Sequence, residues 1–187
     1  CKILDIGCAK GFMMYEFRHF LPKAEISGLD ISKYCKVNAL PSEKKFIKIG
    51  SCHKLPFKNN YFDFVVSIST IHNLSKKKIP LALKEIERVK KGKSFIRIKG
   101  YQNYKEKKFI DDWNIVAKSN LSIIHWKKLF KKYFTISAIV DPVLIIGTLG
   151  NALANTLFTL VVAGLGPPSI ILFWFLKSST ELASVKN

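Results

Sequence analysis

The sequence predicts an α/β fold, a doubly wound and mostly parallel sheet with helices on both faces, followed by an apolar C-terminal extension. Short apolar runs alternate with helical patterns over residues 2–100, which is the order that βαβ units produce. The run YFDFVVSIS is almost continuously apolar, as strands covered on both faces are. A turn containing two glycines follows the first run, at the place where such sheets bind ligands.

Five strands and two helices between them are predicted along this part of the chain. The strands are KILDI, EISGLDI, KFIKIGS, YFDFVVSIS and SFIRIKG, at residues 2–6, 25–31, 45–51, 61–69 and 94–100. Residues 12–21 are predicted to form a helix packed on the sheet. Residues 79–90 form another, because their apolar side chains recur at the spacing of one helical face. The segment KKGK, residues 90–93, is predicted to turn the chain into the fifth strand.

Residues 101–134 have the pattern helix, loop, helix, with Trp113 and Trp126 as apolar anchors. One interpretation is a cap over the substrate side of the domain. The alternative is a pair of ordinary outer helices packed on the sheet. In both cases residues 1–140 are predicted to form the main domain.

The tail, residues 141–187, differs from the rest of the chain because residues 143–176 carry no charge. Residues 143–163 are long enough to cross a bilayer core as a helix, and four lysines precede them in residues 127–132. We therefore expect contact with a membrane through residues 143–176, with the main domain cytoplasmic and attached to the inner face. Two alternatives stay open: a helix inserted between final strands at residues 134–140 and 169–176, or a foreign end.

The net charge of +18 allows three interpretations. They are a generally solvated basic surface, attraction to anionic membranes, and binding of nucleic acid. Lysine supplies 28 of the 31 basic residues and is spread along the chain, whereas base recognition favours arginine. A nucleic-acid partner is therefore not expected. The four cysteines and four histidines form no zinc pattern. The chain begins at Cys1 on a predicted strand, so we expect the sequence to be a fragment of a longer protein.

The opening stretch ILDIGCAKGF carries the predicted site. Gly7 and Gly11 form a turn without side chains, so that a ligand can lie against the backbone. Asp5 precedes the turn, and Asp30 ends the second strand 19 residues after Gly11, a separation that suits a carboxylate binding the two hydroxyls of a ribose. A dinucleotide would require the pattern G-x-G-x-x-G, and Asp5 would repel its pyrophosphate. The ammonium group of S-adenosylmethionine would instead be attracted.

Four segments resemble, in order and spacing, the motifs of class I S-adenosylmethionine-dependent methyltransferases, which have a Rossmann-like sheet. LDIGCAKG is similar to the first motif, usually D-x-G-x-G-x-G, and GLDIS is similar to the acidic second motif. Residues 50–74 resemble the adenine-binding turn, L-P-F and F-D of enzymes of ubiquinone and menaquinone biosynthesis. Residues 82–98 resemble the helix, turn and strand that follow. The resemblance covers residues 1–134.

The resemblance implies a set of residues that bind S-adenosyl-L-methionine. This set comprises Asp5, Gly7, Cys8, Gly11, Asp30, Ile31, Ser51, Cys52, His53 and Ser69, with Ser69 facing the methyl end. Two positions depart from the family pattern, since Ala9 replaces the middle glycine and Ser51 replaces an acid that binds the adenine amino group. Other interpretations remain for some of these residues: Asp30 or Ser32 as a helix N-cap, Cys8 as a packing residue, and His53 as an exposed rim residue.

His72 follows the fourth predicted strand, where this fold places its reactive end. An imidazole there is a candidate general base near neutral pH. The alternative is a structural role, in which the ring hydrogen-bonds its own loop. Methyl transfer does not require a base in every case, because the sulfonium is already a strong methyl donor.

The predicted function is transfer of a methyl group from S-adenosylmethionine to a small, lipophilic acceptor. One alternative is a degenerate cofactor-binding domain, with Ala9 and Ser51 as signs of decay, that serves as a membrane-tethered scaffold. The other is a nucleic-acid methyltransferase. The last is disfavoured because the fourth strand ends in SIST and not in an N/D-P-P-Y/F tetrapeptide.

Overall fold

The computed structural model describes residues 1–113, 118–134 and 145–146, and in these ranges the chain forms one six-stranded parallel sheet. The strand order is β3-β2-β1-β4-β5-β6, and every neighbouring pair is parallel. The predicted doubly wound fold is confirmed. The strands are β1 (Lys2–Ile6), β2 (Glu25–Asp30), β3 (Ile47–Ile49), β4 (Phe62–Ile68), β5 (Lys90–Ile98) and β6 (Ile145–Ile146).

Helices cover both faces of the sheet. They are α1 (Phe12–Phe20), α2 (Lys33–Val37), α3 (Ile79–Val89), α4 (Tyr104–Trp113) and α5 (Ile123–Tyr133). Alternate residues of β1 enter two separate cores, with Ile3 on the face of α1 and Leu4 on the face of α3 and α5. Because both faces are buried there, the central strands β1 and β4 are mostly apolar, as the sequence indicated.

The order of the strands positions the functional site. The chain moves from β1 outward to β2 and β3, then returns to place β4 on the other side of β1. Connections therefore leave the carboxyl ends of β1 and β4 in opposite directions and open a crevice between them. Open α/β sheets bind their ligands at this kind of switch point.

A buried ion pair supports the loop that runs beside α1. The Glu43 side chain is fully buried, and its two oxygens accept hydrogen bonds of 3.2 Å from the Arg18 guanidinium. Arg18 also donates to the carbonyl oxygen of Ile26 in β2 and lies 4.2 Å from the ring centroid of Phe46. Glu43 packs directly against Gly11, so the Arg18–Glu43 ion pair supports the end of the glycine turn.

The start of β5 corrects one sequence-based prediction. Residues 90–93, predicted as a turn, form the first part of the strand, with a register shift opposite Phe62 and Phe64. A Cβ at Gly92 would overlap the carbonyl oxygen of Asp63. Gly92 therefore permits the close approach of two strands at this irregularity, which is a known use of glycine in a strand.

The segment 101–134 contains the two predicted helices. Trp126 is fully buried in the core beneath α3, and its indole Nε1 donates to the carbonyl oxygen of Lys99 at 3.0 Å. For α5 this arrangement favours the alternative of an ordinary outer helix. The connection before α5 reaches the functional cleft through Lys118, whereas the side chain of Trp113 lies outside the described part.

Most of the predicted apolar tail, residues 141–187, lies outside the described residues. Its two described residues form β6, whose partners are Arg97 and Ile98 in β5. This pairing places a strand inside the predicted helical span 143–163. The backbone of Ile145 and Ile146 pairs with the β5 edge, and their β-branched side chains favour the extended conformation. Among the helices of the described ranges, none combines the length and apolar character needed to cross a bilayer.

Candidate functional site

A cleft of about 490 Å³ opens at the carboxyl edge of the sheet. One wall, here called the β1–β3 wall, consists of residues 6–7, 29–31 and 50–52. The other, the β4 wall, consists of residues 68–70, 73–75 and 78, together with Lys118. The volume is within the ordinary range of small-molecule sites, about 300–1,000 Å³.

The glycine turn after β1 is held by backbone hydrogen bonds to the neighbouring strand. The N–H groups of Gly7 and Cys8 both donate to the carbonyl oxygen of Leu29, at 2.7 and 3.3 Å. Gly7 and Gly11 have left-handed backbones with φ of 81° and 84°, and Ala9 is also left-handed with φ of 48°. For an L-residue such as alanine this conformation costs about 1 kcal/mol or more. The turn therefore keeps the shape that the family's middle glycine would allow, but with local strain at Ala9.

Asp30 joins the turn to the end of β2. Its Oδ2 accepts from the Ala9 N–H and its Oδ1 accepts from the Ser32 N–H, each at 2.8 Å. Ser32, and not Asp30, caps helix α2, because its Oγ accepts from the Cys35 N–H. A carboxylate has about four acceptor positions, so Asp30 retains capacity to accept hydroxyl groups of a ligand in the cleft.

Two residues at the outer end of the β1–β3 wall suit a flat, weakly polar group. Ile31 is 72 % exposed beside the cleft, and Ser51 Oγ shares a hydrogen bond of 2.5 Å with Nδ1 of His53. Partial burial, followed by the charges of Lys78 and Lys54, lowers the pKa of His53, so this imidazole is neutral near pH 7. Ser51 keeps a lone pair for a donor such as an exocyclic amine.

Cys52 lies beside Ser51 in the same wall and is 5 % exposed. Burial raises the pKa of its thiol to about 11. The thiol is therefore protonated near neutral pH and contributes shape to the cleft, not nucleophilicity.

Asp5 and Cys8 lie beneath the cleft, which differs from the predicted direct contact. Their exposures are 2 % and 5 %, and neither belongs to either wall. The reason is the alternation of β1, which directs Asp5 towards the α1 face while Ile6 and Gly7 line the cleft. Burial, and then the charge of Asp30, raises the pKa of Asp5 to about 8. Burial also raises the pKa of the Cys8 thiol, in keeping with its interpretation as a packing residue.

The end of β4 has an irregular backbone that opens the second wall. Ser69 is left-handed with φ of 55°, its N–H donates to the Arg97 carbonyl oxygen, and its own carbonyl oxygen accepts from the Asn73 side chain. The Thr70 hydroxyl lies 3.1 Å from the carbonyl oxygens of Ile6 and Ile68. Thr70 therefore bridges β1 and β4 across the mouth of the switch point.

His72 points away from the cleft. It is 3 % exposed, lines neither wall, and its Nδ1 accepts from the Lys99 N–H at 3.4 Å. Burial, followed by the charges of Lys99 and Arg97, lowers the pKa of His72 to about 4. A general base is most effective with a pKa near the working pH, so this geometry favours the structural alternative for His72.

The cleft therefore brings together six of the sequence-predicted cofactor residues. These are Gly7, Asp30, Ile31, Ser51, Cys52 and Ser69. Gly11 ends the turn and packs against Glu43 outside the cleft, and His53 forms a hydrogen bond with the Ser51 hydroxyl. Sequence reasoning did not identify Thr70, Asn73, Ser75, Lys78 or Lys118 as lining residues. The segment TIHNLSKKK directly after the fourth apolar run was the available signal for the first four, whereas nothing local marked Lys118.

Comparison with known proteins identifies the family. The sequence model of the family described as a methyltransferase domain matches residues 4–98, just over half of the chain. This chain belongs to the class I S-adenosylmethionine-dependent methyltransferases. An uncharacterised methyltransferase of Schizosaccharomyces pombe is 31 % identical over 108 residues, covering 51 % of this chain and 38 % of its own length. A malonyl-[acyl-carrier protein] O-methyltransferase of Legionella pneumophila is 32 % identical over 92 residues, covering 47 % of this chain and 32 % of its own length.

Solved structures support the methyltransferase fold. The YcgJ protein of Bacillus subtilis is 22 % identical with a TM-score of 0.60, over 71 % of this chain and 60 % of that protein. The PH0226 protein of Pyrococcus horikoshii is 20 % identical with a TM-score of 0.58, over 72 % of this chain and 73 % of that protein. The methyltransferase chain described here spans only about a third of the two curated relatives.

The residues of this methyltransferase fit the family's cofactor, S-adenosylmethionine. Gly7 leaves bare backbone in the cleft opposite Thr70, Asp30 retains acceptor positions for ribose hydroxyls, and Ile31 offers an exposed apolar surface for adenine. Ser51 provides a hydroxyl where the family commonly has an acid. The Cβ of Ala9 does not line the cleft, so the replaced glycine leaves the cavity open.

The first prediction concerns Gly7. A Cβ at this position would overlap Thr70 Oγ1, and the left-handed φ adds strain. Gly7→Ala is therefore expected to weaken binding of S-adenosylhomocysteine at least tenfold, about 1.4 kcal/mol, as measured by calorimetry. The control is Gly100→Ala, where a Cβ would lie 3.2 Å from Trp126 outside the cleft. An equal loss of binding in both variants would contradict the assigned role of the turn.

The second prediction concerns the buried acid Asp5. The unfolded chain ionises this carboxyl near its ordinary pKa of 3.8, whereas the folded protein keeps the proton until about pH 8. The group therefore lowers the free energy of unfolding progressively as pH rises from about 4 to about 8. Asp5→Asn is expected to remove this decline and to be more stable at pH 8 by a few kcal/mol, since one pKa unit corresponds to about 1.4 kcal/mol.

Urea unfolding across this pH range measures the effect, with Asp63→Asn, at a partly exposed carboxylate, as the control. If Asp5→Asn and the parent chain had the same pH dependence, Asp5 would not be the buried acid that the structure indicates.

Proposed function

We propose that the chain transfers a methyl group from S-adenosylmethionine to a small, lipophilic acceptor. The observation that carries this proposal is the cleft at the β1–β4 switch point, bordered by the glycine turn and by Asp30. The two walls also present apolar surface, from Ile6 on one side and from Ile68 and Leu74 on the other. The match to a malonyl-[acyl-carrier protein] O-methyltransferase is compatible with this proposal.

The bound cofactor would supply an activated methyl group on a sulfonium, whose sulfur keeps the bonding electron pair when the methyl group leaves. The protein's contribution is binding and orientation. Asp30 and Ser51 accept hydrogen bonds from the nucleoside, while the bare backbone at Gly7 lets the ligand approach the turn. The β4 wall would enclose the space left for the acceptor.

No proton transfer through His72 is needed in this scheme. The Nδ1 atom of His72 already accepts a hydrogen bond from the Lys99 N–H, and the low pKa of the imidazole makes it a weak base. Holding the acceptor atom, the methyl carbon and the sulfur in line can supply a large part of the rate enhancement. The residues of the β4 wall are therefore proposed to position the acceptor.

The third prediction tests cofactor binding directly. Calorimetry is expected to show binding of S-adenosylmethionine and S-adenosylhomocysteine, and Asp30→Ala is expected to weaken both at least tenfold, about 1.4 kcal/mol. The reason is the combined loss of the ribose acceptor and of the bond that holds the turn. Asp63→Ala, which removes a carboxylate at the opposite edge of the sheet, is the matched control.

The absence of heat with both ligands would exclude the enzymatic proposal. Binding without transfer to any acceptor in a mass-spectrometric screen would instead favour the alternative of a non-enzymatic scaffold.

We further propose that the domain is cytoplasmic and associates with the inner, anionic face of a membrane. Helix α5 supports this proposal because it buries Trp126 and Phe130 and leaves the pairs 127–128 and 131–132 exposed as a row of lysines. Each lysine close to an anionic lipid surface contributes about 1 kcal/mol.

The fourth prediction tests this association by vesicle flotation. The chain is expected to float with vesicles containing phosphatidylserine and not with pure phosphatidylcholine. Replacing Lys127 and Lys128 by Gln is expected to reduce the vesicle-binding constant about thirtyfold, from about 1 kcal/mol for each lysine. The control replaces Lys44 and Lys45, two exposed lysines at the β3 edge. Equal losses in the two double variants would indicate only a general effect of charge.

A further inference from the structure

The two walls of the cleft carry opposite charges. Asp30 is the one acidic side chain of the β1–β3 wall among the described residues, whereas the β4 wall has two basic residues, Lys78 and Lys118. These lysines come from separate parts of the fold, since Lys78 directly precedes α3 and Lys118 lies in the connection to α5. Two distant segments therefore converge to make one side of the cleft basic.

The basic side is not neutralised by acidic residues within the described part of the chain. No ion pair of Lys78 or Lys118 is found there, in contrast to Lys90 and Lys107, which pair with Glu87 and Asp111. Lys78 itself lines the cleft, and its charge also contributes to the lowered pKa of His53 next to the β1–β3 wall. Both ammonium groups are thus available to a ligand.

The charge of the cofactor makes this arrangement informative. S-adenosylmethionine carries an ammonium and a sulfonium against one carboxylate, so it brings net positive charge into a cleft whose walls hold one acid and two lysines. A neutral acceptor would leave this excess uncompensated. A negative group on the acceptor would be attracted to the cofactor and to the two lysines, because a cleft lined by one sign of charge concentrates ligands of the opposite sign.

We propose that the acceptor of this methyltransferase carries an anionic group, a carboxylate or a phosphate, which binds between Lys78 and Lys118 in the β4 wall. This proposal rests on the proposed function and extends it by assigning the recognition chemistry of the acceptor. The apolar side chains of Ile68 and Leu74 lie in the same cleft. The expected acceptor is therefore amphiphilic, with a hydrocarbon part and one charged end.

The test uses probes with similar hydrocarbon chains, of which two have anionic head groups and one has a neutral head group. The chain is saturated with S-adenosylhomocysteine and titrated with octanoate, octyl phosphate and octanamide in a calorimeter. At least one anionic probe is expected to bind ten times more tightly than octanamide. The tighter of the two anions identifies whether a carboxylate or a phosphate is preferred.

Single substitutions then assign the preference to the two lysines. Lys78→Gln and Lys118→Gln are each expected to reduce the preference for the anionic probe at least threefold. Lys77→Gln is the matched control, because Lys77 is the exposed neighbour of Lys78 and does not line the cleft. Its preference for the anion is expected to match that of the parent chain.

Three outcomes would overturn the inference. Octanamide could bind as tightly as both anions, or Lys77→Gln could lose as much preference as Lys78→Gln. In the third, the two cleft variants would lose affinity for S-adenosylhomocysteine itself, which would assign the lysines to the carboxylate of the cofactor. If the parent chain bound no S-adenosylhomocysteine, the proposed function would fail separately, and the anion preference would be measured on the unloaded chain.

Discussion

The hydrogen bond from the Ala9 N–H to the Asp30 carboxylate is the constraint on which the site depends. It ties the glycine turn after β1 to the end of β2, and the second oxygen of the same carboxylate orients the start of α2 through Ser32. The turn contains three left-handed residues in sequence positions 7, 9 and 11, and one of them is an alanine. A charge-assisted bond of this kind is about twice as strong as a neutral one, which is enough to offset the strain at Ala9.

Asp5 and Asp30 lie at the ends of neighbouring strands but differ in burial. Asp30 stands at the edge of the cleft with its oxygens accepting backbone N–H groups, whereas Asp5 is almost fully buried and its pKa is raised to about 8. Within the described residues Asp5 receives no hydrogen bond to its carboxyl group. Retaining an acid at such a cost in stability is typical of functional sites.

The side chains at the site are therefore suited to binding and orienting ligands. His72 accepts a hydrogen bond from the backbone N–H of Lys99, directly after β5, and the Cys52 thiol in the cleft is protonated. What remains in the walls is a set of acceptors, apolar surfaces and two ammonium groups. These are the elements that bind and orient two ligands, and orientation is what transfer from an activated methyl donor mainly requires.

The sequence alone predicted β1 to β5, α1, α3, α4 and α5 in the right order. Burial on both faces imposes apolar runs on β1 and β4, and packing on one face imposes a helical period on α3. The sequence also identified Gly7, Asp30, Ile31, Ser51, Cys52 and Ser69, since residues at the carboxyl ends of consecutive strands must converge in a parallel sheet. The sequence did not predict a strand at residues 90–93, because the close approach of Gly92 to Asp63 is a contact between residues distant in the chain.

Only the tertiary structure decided which polar side chains face the cleft. Asp5 and His72 have the residue types of a reactive site, but the alternation of β1 and the backbone of β5 direct them elsewhere. Lys118 has no local signal in the sequence, and only the tertiary structure places it at the cleft. Side-chain direction at a strand end and the convergence of distant loops are set by packing, and packing is not encoded in the residues of any single segment.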